Sequence, residues 1–186
     1  DRPLAVSLVP PMLALLDADI KPKDLDDAFG KVCDNDDVEF PPGDAACPDS
    51  AEAARALTAF WTAFETLLPT SIDPASTCKI QGVAQTFRSQ WRLSRSRAER
   101  PAVMAALLKH WDRKSEMTMK WWADDLATQR KVKAAVLALH ENFRANVVTP
   151  YLSAWRQYVY RLAIGLLTRA RHNASDERRR LNVLNH

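Results

Sequence analysis

The sequence predicts an all-α fold, a helical bundle with long terminal helices, and three observations carry that expectation. Apolar residues recur at intervals of three and four over most of the chain, as on one face of a helix. The β-branched residues fall singly inside those periods, and no stretch alternates as a half-buried strand does. Only four glycines occur in 186 residues, where average usage gives about a dozen, which disfavours β-meanders and Gly-rich nucleotide loops. With 47% hydrophobic content, residues 1–186 suffice for one helical domain, or two small ones, with a real core; a single domain is expected, with an acidic part over 1–78 and a basic long-helix part over 79–186.

The elements follow in order. Residues 4–18 are Leu-rich, but Pro10-Pro11 must break or start a helix, so the regular part is expected from Pro11 to Asp17. A second helix spans 24–34, with Asp24 as N-cap and Leu25, Phe29 and Val32 or Cys33 on one face. The acidic, Pro-bearing stretch 34–49 reads as an exposed loop. Asp49 and Glu52 form a capping-box-like pair, and Ala53, Leu57, Phe60 or Trp61, Phe64 and Leu68 make a stripe that stops at Pro69.

After a break at 69–77, a helix over 77–94 places Ile80, Val83 or Ala84, Phe87 and Trp91 inward. Pro101 opens a helix of 101–112 that buries Val103 or Met104, Leu107, Leu108 and Trp111. Residues 117–125 are a short amphipathic segment whose neighbouring Trp121 and Trp122 cannot both face one core. A helix follows over 125–148, through Val132, Val136, Leu139, Phe143 and Val147. Thr149-Pro150 then reads as N-cap and first turn of a last helix to about 172, with Leu152, Trp155, Val159, Leu162 and Leu166 inward; a kinked continuation of the preceding helix is the alternative.

Several chemistries lack their residues. The only Gly-Lys pair, Gly30-Lys31, has no glycine at the offset a phosphate loop requires, so this chain by itself is not expected to hydrolyse ATP. Asp124 and Asp125 are adjacent and point to different helix faces, and no Gly-x-Ser-x-Gly elbow occurs, so no catalytic residue is assigned. Cys33, Cys47 and Cys78 contain no Cys-x-x-Cys pair, and His110 and His140 lack a ligand at metal-binding spacing, so free thiols and no metal site are expected. No apolar run reaches the roughly 18 residues of a membrane span, and no signal peptide is read; the expected setting is soluble and cytoplasmic.

Charge points to a partner. The overall +3 hides a gradient: twelve acids and four bases in residues 1–49, three acids and one base in 50–78, and twenty-one bases against eight acids in 79–186. A basic half attracts phosphate backbones, so DNA, held without sequence preference, is the expected partner. Arg88, Arg92 and Arg95 recur at four and three, which places three guanidinium groups on one face, taken to lie opposite Phe87 and Trp91. Lys109, Arg113 and Lys120, and Arg130, Lys131 and Lys133, are further candidates, ranked lower because Asp112, Glu116, Asp124 and Asp125 invite intrahelical ion pairs. Arg178 and Arg179 belong to a last cluster made of Arg169, Arg171 and Arg178 to Arg180. The tryptophans could stack bases, but most fit apolar stripes and read as core.

The run Ala174-Ser175-Asp176-Glu177-Arg178-Arg179-Arg180-Leu181-Asn182-Val183-Leu184-Asn185-His186 resembles the stretch of superfamily 1 DNA helicases of the UvrD, RecB and AddA type in which a basic helix gives way to Leu, Asp or Asn, an aromatic ring, a variable residue and Asp-Leu-Leu. Leu184, Asn185 and His186 would fill the first three places, with His186 where Phe or Tyr is usual. The similarity is closest from Pro150 to His186, and upstream is one of character only. It implies that the chain is a piece of a larger protein, the helical insertion called subdomain 1B, which contacts DNA beside the rest of the helicase core. The implied parent is an ATP-dependent helicase, or a helicase with an attached exonuclease, of DNA repair, whose ATP and Mg sites lie elsewhere. Two rivals stand beside this reading: a freestanding helical protein-interaction module whose acidic half engages a basic surface, and an enzyme domain whose site leaves no motif.

Overall fold

The helical stripes become helices over most of the chain in the computed structural model, which describes residues 4–35, 38–41, 43–114 and 116–184. Among these residues there are seven α-helices and no strand: α1 (Leu4–Asp17), α2 (Pro22–Asp34), α3 (Ser50–Leu67), α4 (Lys79–Ser94), α5 (Pro101–Lys109), α6 (Leu126–Phe143) and α7 (Thr149–Leu184). Short 3₁₀ turns lie at Arg95–Arg97 and Met119–Trp121, and a π-helical stretch at Arg144–Val148. The all-α class is thus observed, and no helix among the described residues is long and apolar enough to cross a membrane.

The chain divides into two compact units, and the division does not follow the charge gradient. One is continuous, Cys47–Trp155; the other joins Asp1–Ala46 to Arg156–His186. In the continuous unit α3 packs on α5 and α6, and α4 packs on α5. Its centre is aromatic. Phe60 stacks on Phe143 with centroids 4.0 Å apart at 8°, and Trp111 meets Phe60, Phe64 and Phe87 edge-on at 4.8, 5.1 and 5.2 Å. Such offset and edge contacts add to the burial of large ring areas. Cys78 ties a loop to the start of α4, its sulfur accepting from the Thr118 amide at 3.4 Å and the Trp122 indole at 3.2 Å. Trp122 is therefore the buried member of its pair, and Trp121 is half-buried.

In the other unit, loop residues Phe40, Pro41 and Gly43 lie beside α7. Tyr160 donates to the Pro41 carbonyl at 3.1 Å, and a Cβ on Gly43 would stand 2.9 Å from Arg161 Cβ, so the close approach excludes a side chain there. Among the described residues, Ile164 and Leu167 are the buried positions of α7 in this unit, whereas the expected Val159, Leu162 and Leu166 are half-buried.

Five element expectations are corrected. Helix α1 continues through Pro10 and Pro11; both rings hold φ near the helical value, and the helix forgoes two donors rather than ending. Helix α2 starts at Pro22 with Lys21 as N-cap, and Asp24 sits three residues in, where its carboxylate accepts from the Lys21 amide at 2.8 Å. Helix α5 ends at Lys109, before Trp111. Thr149 does not cap a new helix: its amide bonds to Arg144 O, five residues back, so the chain continues from α6 into α7 through the π turn. The wider π turn removes the usual i−4 carbonyl from the path of the Pro150 ring. Helix α7 also runs past 172 to Leu184, since no glycine or proline interrupts 170–184. Asn185 and His186 lie outside the described residues.

Candidate nucleic-acid interface

Helices α3 and α4 flank a groove of about 1000 Å³. Asp49 starts α3 by accepting from the Ala51 amide at 2.9 Å. The turns that follow bury Leu57, Phe60, Trp61 and Phe64, which leaves Ala51, Ala54, Arg55, Thr58 and Thr62 facing the groove. From α4 come Arg88, Trp91 and Arg92, and from the turn after it Arg95, Ser96 and Glu99. The three arginines read from their spacing are therefore brought together.

Trp91 is on the arginine side, contrary to expectation. At about 100° per residue it lies about 60° around α4 from Arg88. It is half-buried, lines the groove, and is backed by Phe87 with centroids 5.9 Å apart at 15°. Phe87, fully buried, alone keeps its expected place. Arg55 was missed: it is a solitary base in an acidic stretch, and only the pairing of α3 with α4 sets it beside the other three.

The three arginines differ. Arg88 Nε donates to Glu65 Oε1 at 3.3 Å, and its guanidinium stands 5.9 Å from the Trp61 ring. Both side chains of the ion pair are about two-fifths exposed, so water screens it and it contributes at most about 1 kcal/mol. Arg92 and Arg95 are exposed.

The remaining candidates are not gathered into this groove. Lys109 is exposed at the end of α5 and Arg113 in the turn beyond, so the two do not share a helix with Lys120. Lys120 Nζ lies 4.8 Å over the Trp121 ring. Arg130 and Lys131 are exposed on α6 and Lys133 is half-buried there. Arg178 and Arg179 are exposed on α7 in the other unit; Asp176 is 3.7 Å from Arg179, and Glu177 is 3.8 Å from Arg180.

The reason for ranking the middle clusters low also changes. Glu116 pairs with Lys79 at 2.6 Å, and the Asp125 carboxylate accepts from the Thr128 amide at 2.8 Å as the cap of α6, which holds its carboxyl below the ordinary range. The leading stripe carries a carboxylate competitor of its own, Glu65 on Arg88.

A smaller cleft of about 270 Å³ holds His110, His140, Lys79, Arg113, Lys114 and Glu116 against Trp111. Burial lowers the pKa of both histidines, and His110 Nε2 is 2.7 Å from Gln90 Oε1. Among the described residues no three His, Cys, Asp or Glu side chains gather as a metal site would require. Comparison with protein-family models, with curated proteins and with solved structures finds no match.

Proposed function

We propose that the chain is a helical module that contacts the phosphate backbone of DNA without reading sequence, within an ATP-dependent helicase or helicase-nuclease of the UvrD, RecB and AddA type. One observation supports the DNA contact most: Arg55, Arg88, Arg92 and Arg95 converge on one groove in which Glu65, already held by Arg88, and Glu99 are the opposing charges. Guanidinium groups pair bidentately with phosphate, and hydroxyls such as Ser96 add neutral donors. The helicase parent rests on the resemblance at residues 174–186, with ATP and Mg bound in its other segments.

Titration of fluorescent DNA over a salt series tests this. Affinity should fall linearly in log–log form, and Arg92→Ala or Arg95→Ala should each reduce the slope by about one phosphate contact. Arg88→Ala should cost less, because Glu65 already competes for that charge, and Glu65→Gln should tighten binding. Binding that ignores salt, or equal losses at all three arginines, would count against the groove.

A second reading, a protein-interaction module, is favoured by α1, where Met12, Leu13 and Leu16 are 46%, 57% and 50% exposed. Exposed apolar side chains in a row are what a partner helix would cover.

A further inference from the structure

Phosphate contact alone does not distinguish one strand from two, but the groove contains more than cations. Trp91 is a half-buried indole among Arg88, Arg92 and Arg95, and the parallel ring of Phe87 behind it fixes its plane. A duplex keeps its base faces stacked on one another and presents only backbone and base edges, so it offers the indole no free face to stack on without unstacking a step. An unpaired base has a π-face of the same kind as the indole, and stacking on a ring held in place loses little side-chain entropy.

The rest of the lining suits a single strand. Ala51, Ala54 and Ala59 leave room for a flat ring between the helices, while Thr58 and Thr62 present hydroxyls in no fixed donor pattern. We infer that the groove between α3 and α4 takes single-stranded DNA, one base stacking on Trp91 while Arg92 and Arg95 hold the adjoining phosphates. This rests on the phosphate-contact reading above and adds to it the strandedness of the ligand. Sequence tolerance follows, since every base has a π-face.

The test compares an oligothymidylate of about twelve nucleotides, within the usual span of single-strand sites, with a duplex of equal phosphate number at matched salt. Wild-type protein should bind the single strand more tightly. Trp91→Leu, which keeps an apolar contact with Phe87, should weaken single-strand binding about tenfold and leave the duplex and the salt slope unchanged. Trp91→Phe, which keeps a ring, should recover most of the loss, and matching thermal unfolding curves would exclude a folding defect. Equal losses on both ligands, or an unchanged single-strand affinity in Trp91→Leu, would overturn the stacking role while the arginine effects stood. No binding of either ligand at low salt would overturn the phosphate-contact reading and this inference with it.

Discussion

Ser50 and Tyr151, 101 residues apart in sequence, meet through hydroxyls 2.7 Å apart, and the Tyr151 phenol also donates to the Pro101 carbonyl at 3.2 Å. Both side chains are buried, and desolvation above all pushes the phenol up to about 12, against the partial opposition of the Ser50 hydrogen bond. The folded pKa is raised, so this stabilisation is complete below the ordinary phenol value of about 10 and is lost as pH rises through about 12. Tyr151→Phe should cost about 1–3 kcal/mol at neutral pH, because it strands a buried hydroxyl and a carbonyl. The deficit of the variant, measured by denaturant unfolding, should shrink between pH 10 and 12; a constant deficit would refute the assignment. Nothing in the sequence marks this contact, since Ser50 reads only as the first residue after a cap. Spacing alone left Trp91 undecided: it lies about 40° around α4 from Phe87 and about 60° from Arg88, between the buried and the basic side.

Helix ends were the least legible elements, because several local signals compete at each. Asp49 and Asp125 cap α3 and α6 with their own side chains, as short acceptors before an apolar stripe do. At the end of α1 the chain turns through Asp19 at φ 64°, with the Ile20 amide on Leu15 O at 3.0 Å and the Asp19 amide on Leu16 O at 2.9 Å. This Schellman arrangement ordinarily uses glycine, because a side chain in the left-handed region costs about 1 kcal/mol or more. Asp19→Gly should therefore raise stability by about 0.5–1 kcal/mol, read as a higher thermal midpoint. A fall would mean that the Asp19 side chain is itself needed at the turn. The π turn at Arg144–Val148 shows the same competition, since Thr149-Pro150 signals a start and the packed faces on either side require continuity.

For the whole molecule, the linear charge gradient does not survive folding. Residues 1–46 and 156–186 belong to one unit, which by sequence holds eleven bases and thirteen acids, while the continuous unit holds fifteen bases and ten acids. The net positive charge thus resides in the unit that carries the groove. Because that unit is unbroken in sequence and has an aromatic core, residues 47–155 expressed alone should give a helical circular dichroism spectrum and cooperative melting. The same segment should keep most of the salt-dependent DNA affinity. A gradual, non-cooperative melt, or a folded segment that no longer binds, would place the determinants of stability or affinity in the other unit.

The sequence by itself determined the helical class, most of the buried stripes and the clustering of Arg88, Arg92 and Arg95 along α4 and the turn after it, since each depends on the spacing of near neighbours in the chain. Tertiary structure decided the membership of the groove and the worth of each cation in it. Arg55 and Glu65 share the groove with Arg88, Arg92 and Arg95 only because α3 and α4 both pack on α5. It also decided which ends of the chain share a unit. Periodicity is a property of residues a few positions apart, whereas electrostatic partners are set by distance in space, which no single helix encodes.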